Sequence, residues 1–299
     1  MTTPASTLIN DVLHAVATDV CRNGPNAWTA ALANGLTFEL HVSLALPWLQ
    51  LRVSSVQLRA LRPDADVLRA ASGLAGAARV ARPLRCPGVQ LRADVFLDDV
   101  DVEVRLATAC RDLADAGHAV LHPEAAERAV PVVASDLPPD LVRLFEDTGW
   151  ASTLTRDGRR VVALPVSVGT VAATVETPDG SAVRLQAVVD DLSDLQADGL
   201  EAAAVVALAL ADRVSGVATG WRDSDGALEM SLAAAISPLT TSGVDRAASA
   251  LAVACRMYRG LSHALRDAAT CAHYLSLHEP ALRRHPSVTT EVTPCVQQQ

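Results

Sequence analysis

The order of helical and extended stretches along this chain runs through once and then starts again, and few folds accommodate that pattern. The first pass opens with Ile9, Val12, Leu13, Val16 and Val20 at three-to-four spacing, which predicts a helix over residues 6–21. Asn23-Gly24-Pro25 stops it. Extended stretches at 28–33 and 36–46 are joined by Asn34-Gly35, a strong hairpin dipeptide. After Pro47, Leu49, Leu51 and Val53, then Val56 and Leu58, alternate as a third strand over 48–61. Asp64 is placed to cap a helix with Val67, Leu68, Ala71, Leu74, Ala75 and Ala78 inward. A strand over 89–97 follows. A helix with Leu106, Ala109, Cys110, Leu113 and Ala116 inward, ending near Gly117, completes the pass.

The second pass has a short helix over 140–147, strands at 150–155 and 160–168 around Asp157-Gly158, and strands at 171–176 and 183–189 around Pro178-Asp179-Gly180. A buried helix over 198–214 leads to a hairpin, 216–222 and 227–236, turning at Asp225-Gly226. The last helix starts at Ser242, where Ser242 to Asp245 resembles a capping box with Asp in place of Glu. Its inward face is Val244, Ala248, Leu251, Cys255, Tyr258, Leu261 and Leu265. Local identities accompany the repeat. Trp28 and Leu32 match Trp150 and Leu154, each pair leading to a turn glycine, Gly35 or Gly158. Leu40-His41-Val42-Ser43 then matches Leu164-Pro165-Val166-Ser167.

The expected fold class is therefore α+β, as two tandem modules. Each is an antiparallel sheet flanked by helices in the order helix, three strands, helix, one or two strands, helix. The modules are placed at 1–122 and 140–277. A linker at 123–139 carries Pro123, Pro131, Pro138 and Pro139, and a mobile tail is expected at 278–299.

Composition narrows the function classes. Of 299 residues, 50% are hydrophobic and only 3% aromatic, so a large core must be built from Val, Leu and Ala. With 25 basic against 34 acidic residues, the net charge of −9 disfavours a phosphate-backbone binder, so no nucleic-acid partner is expected. All 25 basic residues are arginine. The absence of lysine excludes a Walker A loop, a pyridoxal Schiff base and a protein-kinase site. The six cysteines, Cys21, Cys86, Cys110, Cys255, Cys271 and Cys295, form no C-x-x-C pair and read as reduced, hence cytoplasmic. The start, with Asp11 and no basic segment, does not read as a signal peptide. No run approaches the roughly 18 apolar residues of a spanning helix, so no membrane insertion is expected.

The element order resembles the type III secretion chaperone-like fold shared by YbjN-type proteins. The resemblance is clearest from Gly216 to Ile236, through Ser237-Pro238-Leu239-Thr240-Thr241 and into the terminal helix. It implies a non-enzymatic protein that presents a twisted antiparallel sheet and its helices to a client or partner protein. Members of that family often work as dimers. A tandem duplication supplies the same pseudo-twofold arrangement in one chain, and a homo-oligomer is compatible with it.

Residues that could carry chemistry also have plainer roles. His263, Cys271, His273, His278, His285 and Cys295 form no recognised zinc spacing, and Arg283-Arg284 would repel a cation. His118 and His122 are four apart, but Gly117 and Pro123 argue against a continuous helix there. Asp98, Asp99, Asp101 and Glu103, and Asp190, Asp191, Asp194 and Asp198, precede helices, where carboxylates complement the positive end of the helix dipole. No G-x-S-x-G, H-E-x-x-H or G-x-G-x-x-G is present. No catalytic, cofactor or metal residues are therefore expected. Among four tryptophans, Trp150 and Trp221 are the expected partner-binding anchors, since both fall on predicted strands of the better-matched module and Trp is enriched in hot spots.

Overall fold

The structure, a computed structural model, describes residues 4–31, 37–45, 48–74, 78–83, 88–96, 101–123, 139–150, 152–167, 169–177 and 183–283. The first module runs α1 (Pro4–Val16), β1 (Thr18–Gly24), β2 (Ala27–Ala31), β3 (Thr37–Ala45), β4 (Trp48–Ser54), α2 (Val56–Ala60), α3 (Ala65–Ser72), β5 (Ala78–Ala81), β6 (Gln90–Phe96) and α4 (Val102–Leu121). The second runs α5 (Pro139–Asp147), β7 (Ser152–Leu154), β8 (Arg160–Pro165), β9 (Thr170–Glu176), β10 (Arg184–Asp191), α6 (Ala197–Arg213), β11 (Val217–Ser224), β12 (Ala227–Ala235) and α7 (Thr241–Ser262). A single 3-10 turn, Ala264–Arg266, then leads into α8 (Ala268–Arg283).

Each module contains one six-stranded antiparallel sheet, and the strand orders are β1-β2-β3-β4-β6-β5 and β7-β8-β9-β10-β12-β11. These are one topology used twice. Four strands meander, a helical crossover follows, and a returning hairpin lays its second strand beside the fourth. The two-module α+β expectation holds; four strands precede the crossover in the second module, as its pattern predicts, and the first module also has four where its pattern predicts three.

The extra first strand has a local cause. The helical spacing through Val20 is abandoned after Val16. The chain instead forms a hairpin in which Cys21 faces Thr29, and Arg22 lies 5.6 Å above the buried Trp28 ring. The matching Leu-x-Val-Ser runs are consequently not equivalent: they lie on β3 and β8, whereas topology pairs β3 with β9. The expected strand over 48–61 divides because the Ser55 hydroxyl accepts from the Leu58 amide and starts α2. Ala78, expected on a helix, opens β5. The helix α4 continues past Gly117 to Leu121. The cap of α7 is Thr240, whose hydroxyl accepts from the Gly243 amide, two residues before the expected Ser242. Leu261, expected inward on that helix, is 44% exposed. The helix α8 reaches Arg283, six residues into the segment expected as tail. The Asn34-Gly35 and Pro178-Asp179-Gly180 turns, residues 124–138 of the linker and residues 284–299 lie outside the described residues.

Alternation along the central strands gives each sheet an apolar and a polar face. In the first module Leu49, Leu51, Val53, Leu91, Ala93 and Val95 share the apolar face. The polar face carries Gln50, Arg52, Arg79, Arg92 and Asp94, and the second module covers it. Arg79 Nε donates to the Ala211 carbonyl at 3.0 Å, and Arg92 NH1 donates to the Asp212 carbonyl, both at the C-terminal end of α6. Asp94 lies between the two guanidiniums. It accepts from Arg79 NH2, from Arg92 Nε at 3.0 Å and from the Gly216 amide at 2.9 Å.

The second module repeats the device. Arg184 on β10 pairs with Glu176 at 3.0 Å and donates through NH1 to the Ser72 and Leu74 carbonyls at the C-terminal end of α3, at 3.4 and 3.0 Å. Each module thus closes the carbonyl end of the other's crossover helix with arginine, where the dipole favours a cation. Gly220 is required at this contact, because a Cβ there would lie 2.6 Å from the Ser72 Cα.

Burial raises the Asp94 pKa, but the Arg79 and Arg92 charges and their hydrogen bonds outweigh it and hold the carboxyl below its ordinary value of 3.8. A depressed folded-state pKa stabilises the fold above the ordinary value, and that contribution is lost as pH falls through the folded one. Asp94→Asn leaves two buried guanidiniums short of their counter-charge. It is expected to cost about 3–5 kcal/mol at pH 7 in urea unfolding. The cost should shrink as the pH falls below the ordinary carboxylate value, and a pH-independent cost would contradict this assignment.

Candidate binding cleft

A cleft of about 590 Å³ opens where the inner parts of the two modules meet. One wall is α4, presenting Arg105, Thr108, Ala109, Asp112, Ala116 and Ala119. The other is the start of α7, presenting Gly243, Arg246, Ala247 and Ala250. These two helices are topological equivalents, each following the last strand of its sheet. The floor carries the junction residues Arg79, Asp94 and Arg184 beside apolar Leu74, Val183 and Ile236. Small residues at i, i+3 and i+4 spacing on both walls hold the space open.

One end of the cleft is organised around an aromatic corner. Trp48 meets Phe96 edge to face, with centroids 5.0 Å apart. The Arg246 guanidinium lies 3.9 Å from the Phe96 ring centroid, and its NH2 donates to the Ser237 carbonyl at 3.3 Å. Arg105 has its pKa pulled down, first by burial and then by the like charge of Arg246. Two cations from opposite walls therefore feel one another here. In the floor, Arg79 is 1% exposed, and its NH1 has no hydrogen-bond partner among the described residues. Among the described residues the lining combines the arginines Arg79, Arg105, Arg184 and Arg246 with the carboxylates Asp94, Asp112 and Asp115 and apolar surface.

The two expected anchors are placed apart from this cleft and from one another. Trp150 precedes β7 rather than lying on a strand. It is half-buried, and its Nε1 donates to Asp245 of α7 at 3.0 Å, so it ties the α5–β7 connection to that helix. Trp221 does lie on β11, but it is 1% exposed, and its ring is core rather than surface. Of the four tryptophans, Trp48 is the one lining the cleft.

Several of the remaining sequence candidates have structural partners. The Arg266 guanidinium donates to Asp190 at 2.8 Å and to Asp194 at 3.3 Å, so the acidic stretch before α6 holds the 3-10 turn in place. Asp191 accepts from the Ser193 amide. Asp101 is the N-cap of α4 without a side-chain cap bond, and Asp98 and Asp99 lie outside the described residues. His118 and His122 do come together on the extended end of α4, with centroids 5.1 Å apart. No group of three metal-ligating side chains occurs among the described residues. The described cysteines, Cys21, Cys110, Cys255 and Cys271, form no disulfide. His285, Cys86 and Cys295 lie outside the described residues, as does the side chain of His278.

The arginines of the cleft are what the sequence reading passed over. The available signal was an Arg-x-Asp pair, Arg92 and Asp94, on the polar side of a strand whose apolar side is fully used. No family model matches the chain, and neither does any curated protein or solved structure. No described helix is long and apolar enough to cross a membrane.

Burial pushes the Cys110 and Cys255 thiols up to about 12, while Cys21 is only partly buried. In folded protein at pH 8, iodoacetamide is expected to modify Cys21 well before Cys110 or Cys255, because the thiolate is the reactive form. Peptide mapping over time checks this order, and equal rates would contradict the packing described.

Proposed function

We propose that this chain is a non-enzymatic, cytoplasmic adaptor that holds a client polypeptide, used much as secretion chaperones of the resembling fold are used. The observation that carries the reading is the inter-module cleft. It is walled by two equivalent helices and floored by the ends of both sheets, with an apolar lining broken by arginines and aspartates. Such a surface recognises a segment by shape, apolar contact and charge. Cys21, Cys110, Cys255 and Cys271 form no disulfide, in keeping with a reducing compartment.

A second reading, a small-molecule sensor, is favoured by the cleft volume, which falls within the roughly 300–1,000 Å³ of ligand pockets. A third, a structural subunit, is favoured by the exposed Val253, Met257 and Leu261 at four-residue spacing on α7.

Affinity capture from the native host distinguishes these. The adaptor reading expects one co-purifying polypeptide at fixed stoichiometry. Ala250→Trp, which fills the cleft from the α7 wall, should abolish capture while leaving the melting temperature within a few degrees. Recovery of the lone monomer from the host, or capture unchanged in Ala250→Trp, would defeat the reading. A defined homo-oligomer in size-exclusion chromatography would point to the structural subunit instead.

A further inference from the structure

An apolar ridge runs along the outer side of the second half of α7. The helix buries Val244, Ala248, Leu251, Cys255 and Tyr258, and it packs on β10 and β12. On its other side Val253, Met257 and Leu261 are 48%, 37% and 44% exposed. They recur every fourth residue, so they share a face about 12 Å long at about 1.5 Å per residue. No two of the other large apolar side chains exposed among the described residues share an element. The ridge lies beyond Ala250, the last α7 residue lining the cleft, so it is a second surface and does not depend on how the cleft is used.

Two further features of this face bear on what covers it. Gly260 stands seven residues after Val253 and three after Met257, which places it on the ridge. Glycine is a poor helix former, and the protein's own packing does not demand one here, because a Cβ would meet nothing within 4 Å. Such a notch lets a second helix approach the ridge closely. Arg256 and Arg259 flank the ridge on one side. Both are exposed, and neither forms an ion pair among the described residues. No acidic residue occurs on α7 after Asp245, whose carboxylate is engaged by Trp150. The face is therefore locally basic on a chain of net charge −9.

We propose that the outer face of α7 docks an acidic amphipathic helix of a partner protein. The partner's apolar stripe packs on Val253, Met257 and Leu261, its backbone comes nearest at Gly260, and its carboxylates meet Arg256 and Arg259. Charge argues against a second copy as the occupant. Two α7 helices packed through this face would set their arginines along one seam, where like charges oppose association. Charge argues equally against an anionic membrane, which the acidic remainder of the chain repels. The carboxylates select the partner, and the apolar stripe supplies affinity.

Fluorescence anisotropy on the full chain tests this with two fluorescein-tagged, hydrocarbon-stapled helices. Both carry leucine at i, i+4 and i+7 spacing; one has glutamates along a flank of that stripe, and the other has arginines in their place. The glutamate helix is expected to bind at least about tenfold more tightly, an advantage that shrinks as salt is raised. The double variant Arg256→Glu/Arg259→Glu should reverse the preference toward the arginine helix. Met257→Glu should lose both helices. Gly260→Leu should weaken the glutamate helix by about tenfold or more while the melting temperature stays the same or rises. All substituted positions are exposed, so far-UV circular dichroism is expected to be unchanged.

Equal affinity for the two helices, no binding of the glutamate helix, or a glutamate preference that survives the double charge reversal would each overturn the proposal. Full binding by Gly260→Leu would remove close helix approach from it. A dimer in analytical ultracentrifugation that Met257→Glu dissolves would assign the face to a second copy instead. Sedimentation with phosphatidylserine vesicles that the double variant abolishes would assign it to a lipid surface.

Discussion

Arginine from each module closing the carbonyl end of the other module's crossover helix is the contact on which the rest of the structure depends. Arg79 and Arg92 reach Ala211 and Asp212, and Arg184 reaches Ser72 and Leu74. Both sets satisfy carbonyls that a helix end leaves without intrahelical partners. Each set pairs with a carboxylate from its own sheet, Asp94 or Glu176, and Arg92 also lies 3.5 Å from Asp212. This arrangement lets two sheets bury polar faces against one another without orphaning most of their charges. A single guanidinium can serve several acceptors in fixed directions, as Arg92 does with Asp94, Asp212 and Ser215. The compact ammonium of lysine could not match that fork, so the all-arginine composition has a structural use here whatever its origin.

Buried charge of this kind is weak evidence for stability and better evidence for specificity. An apolar junction of equal area would stabilise the contact at least as well, but it would tolerate sliding. The junction here permits little sliding, because each guanidinium must meet carbonyls at the end of a helix. Gly220 adds a steric constraint, since β11 passes Ser72 closely enough that only a missing side chain fits. The position of the cleft follows from the same constraint, because the junction that sets the distance between the modules also supplies Arg79, Asp94 and Arg184 to its floor.

What was legible in the sequence was the part governed by local pattern. The crossover helix α3 was marked by the Asp64 cap and by Val67, Leu68 and Ala71, and the β11–β12 hairpin by Asp225-Gly226, both at positive φ. The repeat of element order was legible for the same reason. What failed was competition between patterns of similar strength. Val16 and Val20 suit a helix, yet Thr18 to Gly24 gains a strand ladder against β2 that no periodicity announces. The cleft was illegible for a different reason. Alternation marks Arg79, Arg92 and Arg184 as facing away from their own module's core. Only the tertiary arrangement shows that the space they face belongs to a second module. Trp221 illustrates the converse: a rare aromatic suggests a partner, and its partner is the protein's own interior.

A single chain with two modules can do what a dimer of one module cannot. In an isologous dimer, the two helices walling a central cleft are identical, so any segment lying along it meets the same chemistry in both directions. Here α4 and α7 occupy equivalent places but have diverged. The first presents Arg105 and then Asp112 and Asp115, while the second presents Arg246 followed by Ala247 and Ala250. Each wall contributes an arginine, and of the two walls only α4 also contributes carboxylates. The two walls of the cleft therefore differ in chemistry although they are equivalent in topology. Repetition of one topology supplies the walls, and the differing residues on the two equivalent helices make the space between them asymmetric.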